Sequence, residues 1–516
     1  MKLLGLLAAI SVFCLGPSAY GGSAHEVQNP MAMSVNGINV PMSNEVALPA
    51  GQTCVPYKAF YGRKGVRRVM LPSSVNTISK RAFALCSDLE SIDLPEGITV
   101  IQPSTFESCS SLKKVGMPFS LTRIERSAFM NCRSLESINF PVGLTKIGAY
   151  AFGCCVALRR AEIPDGVLQI QNGAFHSCTN LQSVRLPCGL QILSEHMFAE
   201  CVSLKSVEQS SALTNIQACA FANCTSISEM SIPNGVKEIA WQAFWQCTSL
   251  QSVSLPASLV RMEGAFEKCS SLKNVDIAPD NSVYASVNGH VTTKDGKSLV
   301  MAIPGKALSV PSGIIDVRPD AFANCTETIE ITIAATITNI SEYAFNYADR
   351  LERILVENGC AAYRSINGAL YSSKGKCIVR CPGSVRQMEI AAGTESIGRS
   401  AFDKCARLKT VSLPTTIRTI GEFAFYGCRE LNHVSIPASV VSIGRDAFAD
   451  CPRLRRVRFY GDAPKISGDV FRWGDTNLVI EVQHGSHGWC EGEWQKYNVQ
   501  FQVLDSQYFC TPQLQF

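Results

Sequence analysis

The sequence predicts an α/β repeat fold, in which one short unit recurs many times and the copies stack into a solenoid. Three observations indicate this fold: a cysteine that recurs every 23 residues, a phenylalanine three residues before it, and a short apolar strand pattern after it. A single unit of this length cannot bury its apolar side chains alone, so the units must stack. The recurring cysteines lie at positions 86, 109, 132, 155, 178, 201, 224, 247, 269, 325, 405, 428 and 451.

The phenylalanine is more regular than the cysteine. Phe60 and Phe345 keep the phase where Arg63 and Ala348 replace the cysteine, and Phe471 keeps it as well. The surrounding segment, S-x-x-A-F-x-x-C, is too short for an isolated helix and predicts one helical or 3-10 turn that points the ring inward. We therefore expect a continuous stack of phenylalanine rings along the solenoid, with these turns on its convex side.

The residues after each cysteine predict a short β-strand. In the stretch from Cys132 to Pro141, Leu135 is followed by Ile138 and Phe140 in the alternating pattern of a strand with one buried face. The proline cannot donate a hydrogen bond to a neighbouring strand and ends the pattern. Stacked units place these strands side by side, which predicts a parallel β-sheet on the concave face.

The recurring cysteine is either a packing residue or part of a disulfide framework. A buried cysteine behaves as a small apolar side chain, but cysteines stacked at strand spacing are also close enough to be bonded between turns. We expect a ladder of free, inert thiols, with disulfides between adjacent turns as the alternative. A catalytic role is excluded because thirteen equivalent nucleophiles do not form one site.

The N-terminus predicts export. Residues 1–24, MKLLGLLAAISVFCLGPSAYGGSA, contain Lys2, an apolar run from Leu3 to Leu15 and then small residues, the pattern of a secretory signal peptide. The run is too short to span a bilayer, and no other apolar run is long enough. We expect a secreted or cell-surface protein with no integral membrane segment after signal cleavage.

The remaining domain boundaries follow from where the repeat starts and stops. Residues 25–56 lack the repeat and predict an N-terminal cap, residues 57–470 form the solenoid, and residues 471–516 predict a C-terminal cap. Two insertions, at about residues 279–311 and 357–390, interrupt the phase.

The two insertions resemble each other and predict β-hairpins. Asn288-Gly289 and Asn367-Gly368 stand between alternating residues, and Asn-Gly is a strong signal for a tight hairpin turn. Each hairpin either extends one sheet edge or projects as a recognition element on a rigid scaffold.

The unit L-x-x-V-x-L-P-x-x-L-x-x-I-x-x-x-A-F-x-x-C resembles the leucine-rich repeats of the BspA-like, or treponemal, type over about residues 57–470. The resemblance implies a leucine-rich-repeat solenoid that is exported or surface-displayed and mediates protein binding, adhesion to host or matrix proteins, or contact between cells. It does not imply an enzyme. The family has no fixed ligand, so no site residue carries over.

The outward positions of the predicted strands form the candidate ligand surface. They are polar, small and mixed in charge, and solenoids commonly bind ligands on this face. A solvated surface without a ligand is the alternative interpretation. The charged candidates on this face and near the C-terminal end are Lys114, Arg160, Glu162, Arg185, Arg455, Arg456 and Arg458.

Several function classes find no support in the sequence. The net charge is only +4 and the sequence has no dense basic run, so it does not indicate nucleic-acid binding. No catalytic or phosphate-binding motif is present, and His484, His487 and Cys490 lack a fourth zinc ligand. We expect no cofactor, no catalytic residue and a monomer that binds an unknown extracellular protein or glycan. A structural surface component, or an enzyme with an unrecognised site, remains as the alternative.

Overall fold

The computed structural model describes residues 34–35, 38–39, 44–474, 477–483, 485–489, 492–496 and 500–504. The predicted signal peptide, together with Cys490, lies outside these residues. The chain divides into two compact units, Met1–Cys269 and Ser270–Phe516. Both units are β-solenoids of stacked parallel strands with almost no helix.

The first unit contains the predicted strand in every turn except the one after Cys132, and we call this series the first strand row. The strand predicted there from Ile138 and Phe140 is wrong, since both side chains are only half-buried and the segment forms no strand. The outward residues of the row alternate with buried ones, and strands of successive turns pair in parallel with a register of 23 residues, as for Ser183 and Ser206. The row begins within the segment predicted as an N-terminal cap. Its strands are Glu45–Ala47, Arg68–Met70, Ser91–Asp93, Lys114–Gly116, Arg160–Glu162, Ser183–Arg185, Ser206–Glu208, Glu229–Ser231 and Ser252–Leu255.

Each turn of the first unit also contains a second strand, which the sequence analysis did not predict. It lies in the L-x-x-I part of the repeat, where the isoleucine is buried. We call this series the second strand row. An antiparallel pair, Ser34–Val35 with Ile38–Asn39, lies outside both rows. The strands of the second row are Cys54–Val55, Thr77–Ile78, Val100–Ile101, Arg123–Ile124, Lys146–Ile147, Gln169–Ile170, Ile192–Leu193, Asn215–Ile216 and Glu238–Ile239.

The second unit repeats both strand rows. The two insertions interrupt these rows. The first-row strands are Asn274–Ile277, Ala307–Ser309, Glu330–Ile333, Arg353–Val356, Gln387–Glu389, Thr410–Ser412, His433–Ile436, Arg456–Phe459, Val479–Gln483 and Gln500–Leu504. The second-row strands are Asp316–Val317, Asn339–Ile340, Ser396–Ile397, Thr419–Ile420, Ser442–Ile443 and Lys465–Ile466.

Each insertion contributes three further strands to the second row of its unit. Tyr284–Val287 pairs antiparallel with His290–Thr293, and Asn288 and Gly289 between them have φ of 51° and 83°, as a tight hairpin turn of this type requires. The next strand, Ser298–Met301, then pairs in parallel with the second strand row. The second insertion has the same arrangement in Tyr363–Ile366, Ala369–Ser372 and Cys377–Arg380.

The third side of each turn, here called the turn wall, carries the phenylalanine but does not form the predicted helical turn. Residues two positions before and after the ring are left-handed, as are Ser127 (φ 55°) and Asn131 (φ 63°) around Phe129. A left-handed residue interrupts a right-handed helix. The Phe129 N–H instead donates to the Ala151 carbonyl of the next turn at 2.7 Å. The turn wall is therefore a third hydrogen-bonded ladder, and Gly492–Lys496 is the one 3-10 helix among the described residues.

The phenylalanine rings form the predicted stack. Phe129, Phe152 and Phe175 are fully buried, with ring centroids 5.3 and 5.5 Å apart, so the predicted stack is confirmed in the first unit, where it extends from Phe60 to Phe266. A buried phenylalanine removes about 150–250 Å² from water, which stabilises the fold by about 4–6 kcal/mol per ring before conformational entropy is counted. In the second unit Phe402, Phe425, Phe448 and Phe471 continue the pattern, with centroid distances of 4.6, 5.0 and 5.7 Å.

The ladder cysteines are buried free thiols, as predicted. In the first unit the thiol of each donates to the carbonyl oxygen of the phenylalanine one turn earlier, with 3.1 Å between Cys132 Sγ and Phe106 O. Burial raises the pKa of the Cys247 thiol to about 12 and that of Cys132 well above its ordinary value. The thiolate, which is the reactive form, is therefore suppressed.

Thiol labelling tests this assignment. In the native protein at about pH 8, a maleimide should modify the exposed Cys188 and leave Cys132 unmodified until urea unfolds the chain, because only an accessible thiolate reacts. Peptide mapping by mass spectrometry identifies the labelled positions. A Cys188→Ser variant is the control and should lose that label alone. Rapid labelling of Cys132 in the folded protein would contradict the buried ladder.

Candidate ligand-binding surface

The first strand row presents an ordered polar face in the first unit. In Arg160–Glu162 the central Ala161 is buried, while Arg160 and Glu162 are exposed. The buried residue locks each strand to the core, so the outward side chains stand at fixed positions. Parallel pairing then lines up the same position of successive turns, which creates columns of side chains across the strands.

Opposite charges follow one another in one of these columns. Glu162 pairs in register with Arg185, and Arg185 pairs in register with Glu208. Neighbouring strands lie about 4.8 Å apart, so these charges partly compensate one another. The face is therefore mixed in charge, as the sequence predicted, and has no extended region of one sign.

Three of the four predicted ligand residues in the first unit already have partners. Arg160 forms an ion pair with Glu162 at 3.5 Å, and Arg185 donates to both carboxylate oxygens of Asp165 at 3.1 and 3.2 Å. The backbone N–H of Cys188 and the Arg185 guanidinium lower the pKa of Asp165. The exposed Lys114 makes no ion pair among the described residues of the first unit, so it is the candidate with an uncommitted charge.

The predicted arginines near the C-terminal end lie in the second unit, and two of them bind one carboxylate. Arg456 Nε and Arg458 Nη2 lie 2.9 and 2.8 Å from the two oxygens of Glu481, a residue only 5% exposed. Arg455 directly precedes the strand Arg456–Phe459. Glu481 lies opposite Arg458 in the next strand. The sequence analysis missed this partner, although the two residues are one repeat period of 23 residues apart.

Other kinds of site find no geometric support in the described part of the chain. No three His, Cys, Asp or Glu side chains there are arranged to hold a metal ion. Of the H-x-x-H-x-x-C residues only His487 is described, and its ring lies 3.4 Å from Asp462. No described helix has the length and apolar character needed to cross a membrane.

Stacked parallel strands with a buried phenylalanine in each turn define a leucine-rich-repeat solenoid. A family model described as the BspA type leucine rich repeat region matches residues 42–155, 111–217, 191–287, 305–376 and 374–479. These matches cover most of the chain, and the protein belongs to this family. The resemblance seen in the sequence is confirmed. No curated protein matches the chain.

The solved structures similar to this chain include bacterial leucine-rich-repeat proteins. A leucine-rich repeat protein from Bacteroides ovatus is 21% identical, with 89% of this chain and 92% of that chain covered and a TM-score of 0.40. A leucine rich cell surface protein from Faecalibacterium prausnitzii is 19% identical, with 93% and 96% covered and a TM-score of 0.35. The leucine rich repeat protein of T. pallidum is 26% identical, with 38% and 90% covered and a TM-score of 0.32.

Proposed function

We propose that this protein is an exported repeat scaffold, secreted or displayed at the cell surface, that binds an extracellular protein or a surface glycan and so mediates adhesion. The contact is made by the outward face of the first strand row. The predicted signal peptide and the membership of the BspA type family support export and a binding role. The absence of a recognisable catalytic motif in the sequence makes an enzyme the weaker candidate.

The observation that carries the proposal is the fixed polar face of the first strand row. Each strand contributes outward residues on both sides of a buried one, and the parallel register repeats this arrangement at constant spacing. Because the scaffold holds these side chains before a ligand arrives, binding loses little conformational entropy. A wide face of small polar side chains and mixed charges suits an extended macromolecule better than a compact small molecule.

A structural surface component without a specific ligand is the second candidate. The mixed charges and the lack of an aromatic cluster among the described outward residues of the first strand row in the first unit favour it, since tight interfaces concentrate Trp, Tyr and Arg. The two candidates differ in a simple way: a scaffold binds particular molecules, whereas a structural component assembles with itself.

A binding panel with charge-reversed variants tests the proposal. The protein without its predicted signal peptide is immobilised, and purified extracellular-matrix proteins and glycans are passed over it. We expect at least one to bind saturably, and we expect Lys114→Glu combined with Arg160→Glu to weaken that binding about tenfold, a typical result of reversing charges in an interface.

The control variant carries the same charge change at the second strand row, with Arg123→Glu in the strand Arg123–Ile124 and Lys237→Glu directly before the strand Glu238–Ile239. If both variants weakened ligand binding equally, the cause would be a general effect of charge, which would contradict binding by the first strand row. Failure of the whole panel, together with self-association in analytical ultracentrifugation, would favour the structural component instead.

A further inference from the structure

A groove crosses the turn wall of the first unit, away from the strand face. Its volume is about 760 Å³, within the size range of small-ligand sites. Residues at equivalent positions around successive phenylalanines line it, so it follows the stacking direction across several turns. The side chains that bear on its chemistry are Tyr57, Lys80, Arg81, Arg126, Tyr150 and His176.

The groove is positively charged. Among the described residues that line it, Lys80, Arg81 and Arg126 accompany one carboxylate, Glu107. The ion pairs between described residues of the first unit use neither Arg81 nor Arg126. Both guanidinium groups are therefore available to an anion, and a planar guanidinium binds a carboxylate or sulfate with two parallel hydrogen bonds.

The spacing of the two arginines fits a chain-like ligand. Arg81 and Arg126 lie two turns apart in the repeat, which at about 4.8 Å per turn separates their backbones by roughly 10 Å. That is about the length of two linked sugar rings. A polysaccharide with an acidic group on every second sugar would bring successive acidic groups to successive arginines.

Two tyrosines supply apolar faces in the groove. Tyr57 is exposed, and the Lys80 ammonium lies 5.6 Å from the centre of its ring. Tyr150 is half-buried and meets the His176 ring edge-on, with 6.0 Å between centroids. An aromatic face beside a cation offers apolar contact to the carbon-hydrogen face of a sugar while the cation binds its acidic group.

His176 supplies an unpartnered polar group. The residue is only 6% exposed, lines the groove, and neither ring nitrogen has a hydrogen-bond partner among the described residues. Burial lowers the pKa of His176 to about 4, so the ring is neutral and carries one donor and one acceptor. Buried polar groups are rarely left without partners, and a sugar hydroxyl can both donate and accept.

We propose that this groove binds an acidic oligosaccharide, with Arg81 and Arg126 on its carboxylate or sulfate groups, Tyr57 and Tyr150 against sugar rings, and His176 at a hydroxyl. The groove is separate from the first strand row. This proposal can therefore be correct even if the function proposed above is wrong, and the reverse.

Calorimetric titration of the protein lacking its predicted signal peptide tests the proposal. The ligands are a hyaluronan tetrasaccharide, which carries carboxylates only, a heparin tetrasaccharide, which adds sulfates, and cellotetraose, which is neutral. We expect saturable binding of at least one acidic ligand and none of cellotetraose. The first two ligands show whether carboxylates suffice or sulfates are needed. Binding of cellotetraose as tight as that of the acidic ligands, or binding of none, would overturn the proposal.

Variants locate the binding site. Arg81→Ala combined with Arg126→Ala should weaken binding at least about tenfold, because each charged hydrogen bond contributes substantially to affinity. Lys113→Ala combined with Arg123→Ala removes the same charge outside the groove and should leave affinity unchanged. Equal weakening in both double variants would place the site elsewhere.

The histidine is tested without relying on a variant that could misfold. In the wild-type protein, the His176 ring proton resonances should shift on addition of the acidic tetrasaccharide, in proportion to the bound fraction. Its resonance is assigned through a His176→Phe variant, whose folding is checked by circular dichroism. Unchanged His176 resonances at saturation would exclude its contact with the ligand.

Discussion

Replacing Phe152 by alanine should lower the free energy of unfolding by about 3–5 kcal/mol, the usual cost of removing a large aromatic ring from a packed core. The ring lies between Phe129 and Phe175, and Phe140 meets its edge with 5.5 Å between centroids. The cavity would open in the middle of the stack, where neighbouring turns cannot close it without breaking their own ladder hydrogen bonds. Urea unfolding followed by circular dichroism measures the change.

Phe119→Ala is the matched control. Phe119 is 81% exposed, so its truncation should change the free energy of unfolding by less than about 0.5 kcal/mol. Hydrogen exchange of the turns next to Phe152 provides a second measurement, since solenoid units are stabilised mainly by their neighbours. If the two variants had the same urea midpoint, the stacked rings would not be the main source of stability.

Replacing Asp446 by alanine should destabilise the second unit by about 3–5 kcal/mol, the range found when one partner of a buried ion pair is removed. The Asp446 side chain has no exposed surface, and its Oδ2 lies 2.5 Å from Arg472 Nη2 and 3.3 Å from Arg445 Nε. The variant leaves the half-buried Arg472 without its carboxylate. The urea midpoint again reports the loss.

Asp450→Ala separates this electrostatic effect from the backbone effect. Both aspartates have φ of 53°, so alanine imposes a similar left-handed penalty at each position. The partner of Asp450 is the exposed Arg429, at 3.3 Å, and an exposed pair contributes about 0–1 kcal/mol. Similar destabilisation by the two variants would show that the backbone, and not the buried ion pair, accounts for the loss at Asp446.

The repeat period determined much of this protein from the sequence alone. Because residues 23 apart must stack in a solenoid, the period by itself placed Phe129 against Phe152 and Cys132 one turn from Cys155. It also identified the family and the strand that follows each ladder cysteine except Cys132. These features depend on one physical requirement, that each turn must bury its apolar side chains against the next.

The tertiary structure alone decided how the backbone forms the rest of each turn. Left-handed residues such as Ser127 and Asn131 replace the expected helical turn with a third ladder, and the L-x-x-I segment becomes a second strand row. Both follow from hydrogen bonds between turns, which a pattern within one turn does not reveal. The placement of His176 in the groove likewise depends on side-chain positions across turns, which the spacing of residues does not fix.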